Sequence, residues 1–208
     1  MDEITAGAVW RSLPRRDPAG HKGMFGKVMC LCGCVGFTGA PVFASRAAVR
    51  TGSGLVYLGV PAAIWQVAAV KSDEAMPFPL PDRDGKLACA GEEEIRRRAA
   101  GCDAVLIGCG KGNTEQTALE IGLCIEECAA PLVIDADGIN ALSEHINLLE
   151  KHSGEILLTP HPAEMARLIN SDVKTVQQNR QKTASDFAKK YGVTVILKGH
   201  GTVLALKD

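Results

Sequence analysis

The 208-residue chain has little aromatic content, 4%, and a formal net charge of only −1. There is no basic tail, and Arg96-Arg97-Arg98 follows Glu92-Glu93-Glu94 one residue later. That block reads as a solvated helix face, so nucleic acid is not expected as a partner. No apolar run approaches the roughly 18 residues needed for a membrane span, so no membrane association is expected. The N-terminal M-D-E-I-T-A-G lacks the charged and apolar regions of a signal peptide, which points to the cytoplasm. None of the eight cysteines forms a C-x-x-C pair. Cys30, Cys32 and Cys34 alternate along a strand and so share a face, read either as a soft-metal site or as buried thiols. Cys89, Cys102, Cys109, Cys124 and Cys128 read as small core residues, and all eight as reduced thiols. The glycines at 33, 36 and 39 are three apart, so no G-x-G-x-x-G dinucleotide fingerprint is present. They read either as a tight turn or as a cradle for an anion or small polar substrate.

What is present is a regular alternation. Met1 to Arg16 reads as a partly helical lead-in whose Trp10 and Leu13 could pack on the body, and 15–26 as a loop. Strands are expected at 27–34, 55–60, 104–108, 131–134, 156–158 and 193–197, with 203–206 pairing back as a hairpin. Helices are expected at 42–50, with Pro41 at the first helical position, and at 62–70, 92–100, 114–128 and 177–191. Asn113 or Thr114 would cap the fourth of these, and Gly192 would close the last. Pro77, Pro79 and Pro81 read as a surface excursion. With the low aromatic content they suggest self-association, so a homo-oligomer is expected. Strands alternating with helices predict an α/β fold: three layers around a mostly parallel sheet, in one domain over 1–208.

The organising stretch is Gly154 to Asn170. Ile156-Leu157-Leu158 is a strand buried on both faces. Thr159-Pro160-His161-Pro162 cannot extend it. From Ala163 the period becomes helical, with Met165, Leu168 and Ile169 on one side. The turn between should expose Thr159, His161 and Glu164.

Four strand ends are polar or glycine-rich: 108–113, 135–140, 159–164 and 198–202. In a parallel sheet they share one edge, where ligands collect. Glycines for close approach, Lys198 for charge and carboxylates for Mg²⁺ suit a phosphate-bearing ligand. Singly, each has a plainer reading: Asp135 and Asp137 as helix caps, Lys198 as a solvated turn lysine.

Five segments in order, H-K-G-x-x-G-K-V from His21, G-x-x-G-A-P-x-x-A-S from Gly36, V-I-D-A-D-G-I-N-A-L, L-T-P-H-P-A-E-M-A-R-L and V-I-L-K-G-H-G-T, carry a resemblance. The chain resembles the ADP/ATP-dependent (S)-NAD(P)H-hydrate dehydratases, the carbohydrate-kinase-like domain of the ribokinase-like superfamily, from His21 to Thr202. The resemblance implies repair of nicotinamide cofactors. The S form of hydrated NADH or NADPH would be dehydrated through a transient phosphate ester, with ADP (or ATP) as co-substrate and Mg²⁺. It implies Ala40, Gly112 and His161 at the hydrated nucleotide, and Lys198, Gly199, His200, Gly201 and Thr202 at the adenine nucleotide. Asp135 and Glu164 are the candidates for organising Mg²⁺ and phosphate. The family's G-T-G-D motif, with its anion hole and general-base aspartate, does not occur in these 208 residues. No catalytic residue is therefore assigned, and the expectation is a C-terminally incomplete domain that folds imperfectly or needs partner contacts, and lacks full catalysis. The alternatives are a sugar or vitamin-precursor kinase of the same superfamily, or a non-catalytic nucleotide-binding remnant.

Overall fold

A computed structural model describes residues 2–88, 91–112, 114–151 and 154–208. Cys89, and Asn113 as a candidate cap, lie outside these. Eight strands form one sheet. In chain order they are β1 (Lys27–Leu31), β2 (Leu55–Pro61), β3 (Met76–Leu80), β6 (Ala104–Ile107), β7 (Leu132–Ile134), β8 (Ile156–Leu158), β9 (Thr194–Leu197) and β10 (Val203–Ala205). Their spatial order is β10-β9-β8-β7-β6-β1-β2-β3, and every pairing is parallel except β10 on β9. A two-stranded ribbon, β4 (Asp82–Arg83) and β5 (Lys86–Leu87), stands apart.

The helices are α1 (Ala6–Ser12), α2 (Gly39–Arg50), α3 (Ala62–Lys71), α4 (Glu92–Ala99), α5 (Glu115–Glu127), α6 (Asp137–Glu144), α7 (Pro162–Leu168), α8 (Val173–Gln178) and α9 (Arg180–Tyr191). Alternation along the strands divides the core in two. Met29, Leu31, Val105, Ile107, Leu132, Ile134, Ile156, Leu158, Val195 and Leu197 face α4 to α9 and are buried. Cys30, Cys32, Val56, Leu58 and Val60 face α2 and α3. Each large side chain wholly buried here stabilises the fold by about 1.5–3 kcal/mol. On this second face helices cover chiefly β1 to β3. Leu106, Val133, Leu157 and Thr194, in register across β6 to β9, stay partly exposed.

Several expectations are corrected. Pro77 and Pro79 belong to an edge strand of the main sheet, not to an excursion. Phe78 and Leu80 between and beyond them are buried, and an edge strand tolerates missing N–H groups. Trp10 and Leu13 do not pack on the body: they are 74% and 52% exposed, and α1 buries nothing. Pro41 is the third helical residue, because α2 starts at Gly39. The helix expected over 177–191 is broken at Asn179 into α8 and α9. Gly192 does close α9, in the left-handed conformation. Cys30 and Cys34 are buried thiols, and burial raises both pKa values, Cys30 to about 12. Among the described residues no helix is long and apolar enough to cross a membrane.

Candidate active site

The carboxyl ends of β6, β7, β8 and β9 meet around Asp135. Its Oδ1 accepts from Lys198 Nζ at 2.7 Å and from Thr159 Oγ1 at 2.7 Å. Its Oδ2 accepts from the Cys109 thiol at 3.4 Å. Burial alone would raise the Asp135 pKa. The hydrogen bonds from Lys198 and Thr159, the lysine charge and the Cys109 thiol outweigh it and hold the carboxyl below its ordinary value. Asp135 is therefore a fixed anion, and Lys198 is no solvated turn lysine.

The backbone that aims Asp135 is unusual. Ala136 has φ 51° and ψ −119°, a conformation that costs a non-glycine residue about 1–3 kcal/mol. Its φ is positive, as is that of Gly108 at the end of β6, φ 121°. A Cβ at Gly108 would lie 2.0 Å from the Asp135 carbonyl oxygen, so only glycine lets the two loops touch. Neither Asp135 nor Asp137 caps α6. Asp137 instead accepts from the Gly112 N–H at 2.8 Å, tying the β6 loop to the β7 loop.

At the end of β8, His161 caps α7. Its Nδ1 accepts from Ala163 and Glu164 N–H groups at 3.1 and 3.2 Å. Glu164 reaches back to the His161 N–H at 2.8 Å, completing a capping box. Glu164 is thus buried, at 4% exposure, rather than displayed by the turn. The turn is locked to its neighbour, since Lys198 N–H donates to the Pro160 carbonyl at 2.8 Å.

The sequence candidates fall into three adjoining groups. Ala40 lies against the Gly110 backbone, one residue from Lys111 and two from Gly112, so the loops carrying Ala40 and Gly112 meet. Asp135, Thr159, Glu164 and Lys198 form the centre, with His161 at its rim. Gly199, His200, Gly201 and Thr202 continue from Lys198 as an exposed loop before β10. Asp135 and Glu164 do not fit as direct metal ligands in this arrangement. The Lys198 ammonium is 2.7 Å from one and 4.0 Å from the other, and both Glu164 oxygens are engaged by His161. Among the described residues no group of three His, Cys, Asp or Glu side chains could hold a metal ion.

Some features had no sequence signal singled out. Lys111, within the glycine loop, forms a buried ion pair with Glu120 of α5, each 2% exposed at the side chain. Lys86 of the β4–β5 ribbon lies over Gly112 and, with Arg83, Leu87, Thr114 and Leu119, lines a cavity of about 780 Å³. Arg180 sits beneath the 198–202 loop.

The family model described as NAD(P)H-hydrate dehydratase matches residues 28–208. The chain is 35% identical over 206 residues to the bifunctional NAD(P)H-hydrate repair enzyme Nnr of Moorella thermoacetica, covering 99% of this chain and 39% of that protein. It is 34% identical over 191 residues to the ADP-dependent (S)-NAD(P)H-hydrate dehydratase of Neisseria meningitidis serogroup B, covering 90% and 60%. Among solved structures, the ADP/ATP-dependent NAD(P)H-hydrate dehydratase of Bacillus subtilis, co-crystallised with ATP/Mg²⁺, superposes with a TM-score of 0.78 at 27% identity, covering 98% of this chain and 69% of that one. A ribokinase-like protein of Enterococcus faecalis shares the fold, with a TM-score of 0.73 at 21% identity. The chain spans 39% of the length of the Moorella relative and 60% of that of the Neisseria relative. The matched region contains every strand end that builds the site, and the chain belongs to the NAD(P)H-hydrate dehydratase family.

Proposed function

We propose that this chain dehydrates the S form of hydrated NADH or NADPH at the expense of an adenine nucleotide, ADP before ATP. The observation that carries the reading is the Asp135 centre, where three strand ends deliver a fixed carboxylate, a lysine and a hydroxyl to one point. The nucleotide's terminal phosphoryl group passes to the hydrate hydroxyl oxygen, the hydroxyl proton goes to a general base, and the P–O bond to the nucleotide breaks, leaving AMP from ADP. The C–O bond then breaks with its electron pair on departing phosphate, and loss of a ring proton restores the double bond. Lys198 supplies positive charge beside the transferring group, and Asp135, itself held by the Thr159 hydroxyl, keeps that ammonium in place. Ala40, Gly112 and His161 shape the end that takes the hydrated ring, and 198–202 the nucleotide end. Mg²⁺ in this reading arrives on the nucleotide phosphates and needs few protein ligands. A single ribokinase-like unit, a cytoplasmic location and a homo-oligomer accompany the reading.

The test supplies S-form NADH hydrate, Mg²⁺ and ADP or ATP, and follows the return of reduced-nicotinamide absorbance. It is run on this chain and on a fusion carrying a relative's C-terminal G-T-G-D segment. Recovery in either supports the proposal, and recovery only in the fusion assigns the base to that segment. A stable phosphorylated product without recovery selects the superfamily kinase. Nucleotide binding with no turnover in both selects the non-catalytic binder.

A further inference from the structure

Arg180, the first residue of α9, is the group that shapes the 198–202 loop. Its Nη2 donates to three carbonyls: Leu197 at 2.9 Å, Lys198 at 3.2 Å and Gly201 at 3.3 Å. Its Nη1 donates to Gln177 Oε1 at 2.9 Å, holding the guanidinium from the other side. Its Nε is buried without a partner among the described residues, so the side chain leaves one donor unmet to keep this pose. Gly199 makes room for it: a Cβ there would lie 3.1 Å from both terminal nitrogens, at a φ of 142°.

A trans peptide carries its C=O and the following N–H in opposite directions, and no described peptide bond is cis. Drawing the Lys198 carbonyl toward Arg180 therefore turns the Gly199 N–H away from it. Drawing in the Gly201 carbonyl does the same to the Thr202 N–H. Among the described residues neither N–H has a backbone partner, whereas the Lys198 N–H, on the third such peptide, is taken by Pro160. The loop oxygen of Gly199 is occupied by the Thr202 hydroxyl at 2.9 Å. Carbonyls are thus gathered beneath the loop, and free donors remain on its open side, beside Lys198. Donors turned to one side of a glycine-rich loop make an anion-binding concavity.

We infer that Arg180 is a positioning residue that polarises the 198–202 loop, turning its N–H groups out to receive the phosphates of a nucleoside diphosphate. The inference rests on the proposed nucleotide site but concerns a residue that touches no ligand. Lysine cannot replace it, because a single ammonium lacks the planar fork that puts one nitrogen on the three carbonyls and the other on Gln177 Oε1.

The experiment compares the chain with its Arg180→Gln, Arg180→Lys and Gly199→Ala variants by amide NMR, without ligand and during ADP titration. In the parent chain the Gly199 and Thr202 amides are ordered and shift with ADP. Arg180→Gln and Arg180→Lys should both disorder the 199–202 amides and weaken ADP about tenfold or more, while amides of the β6 and β8 loops keep their positions. Gly199→Ala, strained at φ 142° as well as crowding the guanidinium, gives the disordered-loop reference, and Arg180→Lys carries the comparison if Arg180→Gln proves too unstable to study. Parent-like loop order and ADP affinity in the Arg180 variants would overturn the inference, as would full rescue by lysine. If the parent binds no ADP, the nucleotide reading falls, and loop order in the ligand-free variants still decides the role of Arg180.

Discussion

Asp135 and Lys198 meet at 2.7 Å although 63 positions separate them and β8 runs between their strands. Thr159, at the end of that middle strand, donates to the same carboxylate oxygen. One oxygen thereby ties β7, β8 and β9 together at the edge where ligand would bind. The contact fixes Asp135 as a carboxylate and fixes the direction of the lysine.

This carboxylate should give the chain an acid sensitivity of known sign. The Asp135 pKa is held below its ordinary value, so near pH 4 the unfolded chain binds more protons than the folded one. Its stabilisation is complete above the ordinary value of about 3.9 and is lost as the pH falls through the lower folded value. Asp135→Asn should flatten the fall in urea midpoint between neutral and acid pH. It should not abolish the fall, because Glu94, Glu127 and Asp172 are also held low by their partners. An unchanged acid slope in the variant would contradict this.

On the proposed reading His161 has two separable roles. Its Nδ1 caps α7, and its exposed ring edge faces the site. Asparagine also caps well, whereas alanine costs about 1 kcal/mol. His161→Ala should lose that stability and hydrate affinity together. His161→Asn should keep most of the stability and still lose hydrate affinity. Thermal unfolding and hydrate titration read the two effects independently.

The buried Lys111–Glu120 pair should be costly to break and cheap to replace. Lys111→Met strands a carboxylate that already has one unpartnered oxygen, at a cost of about 3–5 kcal/mol in urea unfolding. Lys111→Met with Glu120→Leu should recover most of it. Because Lys111 sits between Gly110 and Gly112, a stable double variant with weaker hydrate binding would show that the pair serves the loop as well as the fold.

Ala136 stores strain beside Asp135. Glycine adopts its backbone angles freely, so Ala136→Gly should gain up to about 1 kcal/mol after the entropy of glycine is set against the relief. Calorimetric unfolding checks this. A clear loss of stability would mean that the alanine methyl packs more usefully than its backbone suffers.

The strands that read cleanly are those whose apolar run is bounded by turn chemistry. Ile156 to Leu158 is a strand as expected, stopped by Thr159-Pro160. Lys27 to Cys34 ends earlier, at Leu31, because Cys32 and Gly33 already bond across to Gly59 and Cys109 as a loop. Met76 to Leu80 was unreadable as a strand because proline content argues for a turn unless the strand lies at an edge, and edges are set by the whole sheet. The gathering of the 108, 135, 159 and 198 segments followed from parallel topology alone. The partners they chose did not. Asp137 bonds Gly112 rather than capping its own helix, and Glu164 turns inward. Arg180 carried no visible signal, since a helical arginine in sequence looks like any solvated one.

The prolines of β3 also settle in which direction the sheet can be extended. Successive N–H groups of a strand alternate sides. β3 pairs with β2 on one side only, and Pro77 and Pro79 share a parity, with Met76, Phe78 and Leu80 on the other. The outer rim, where the prolines fall, then offers an incoming strand acceptors but no matching donors. That flank pairs poorly, so a strand joining this sheet is favoured at the β10 flank instead.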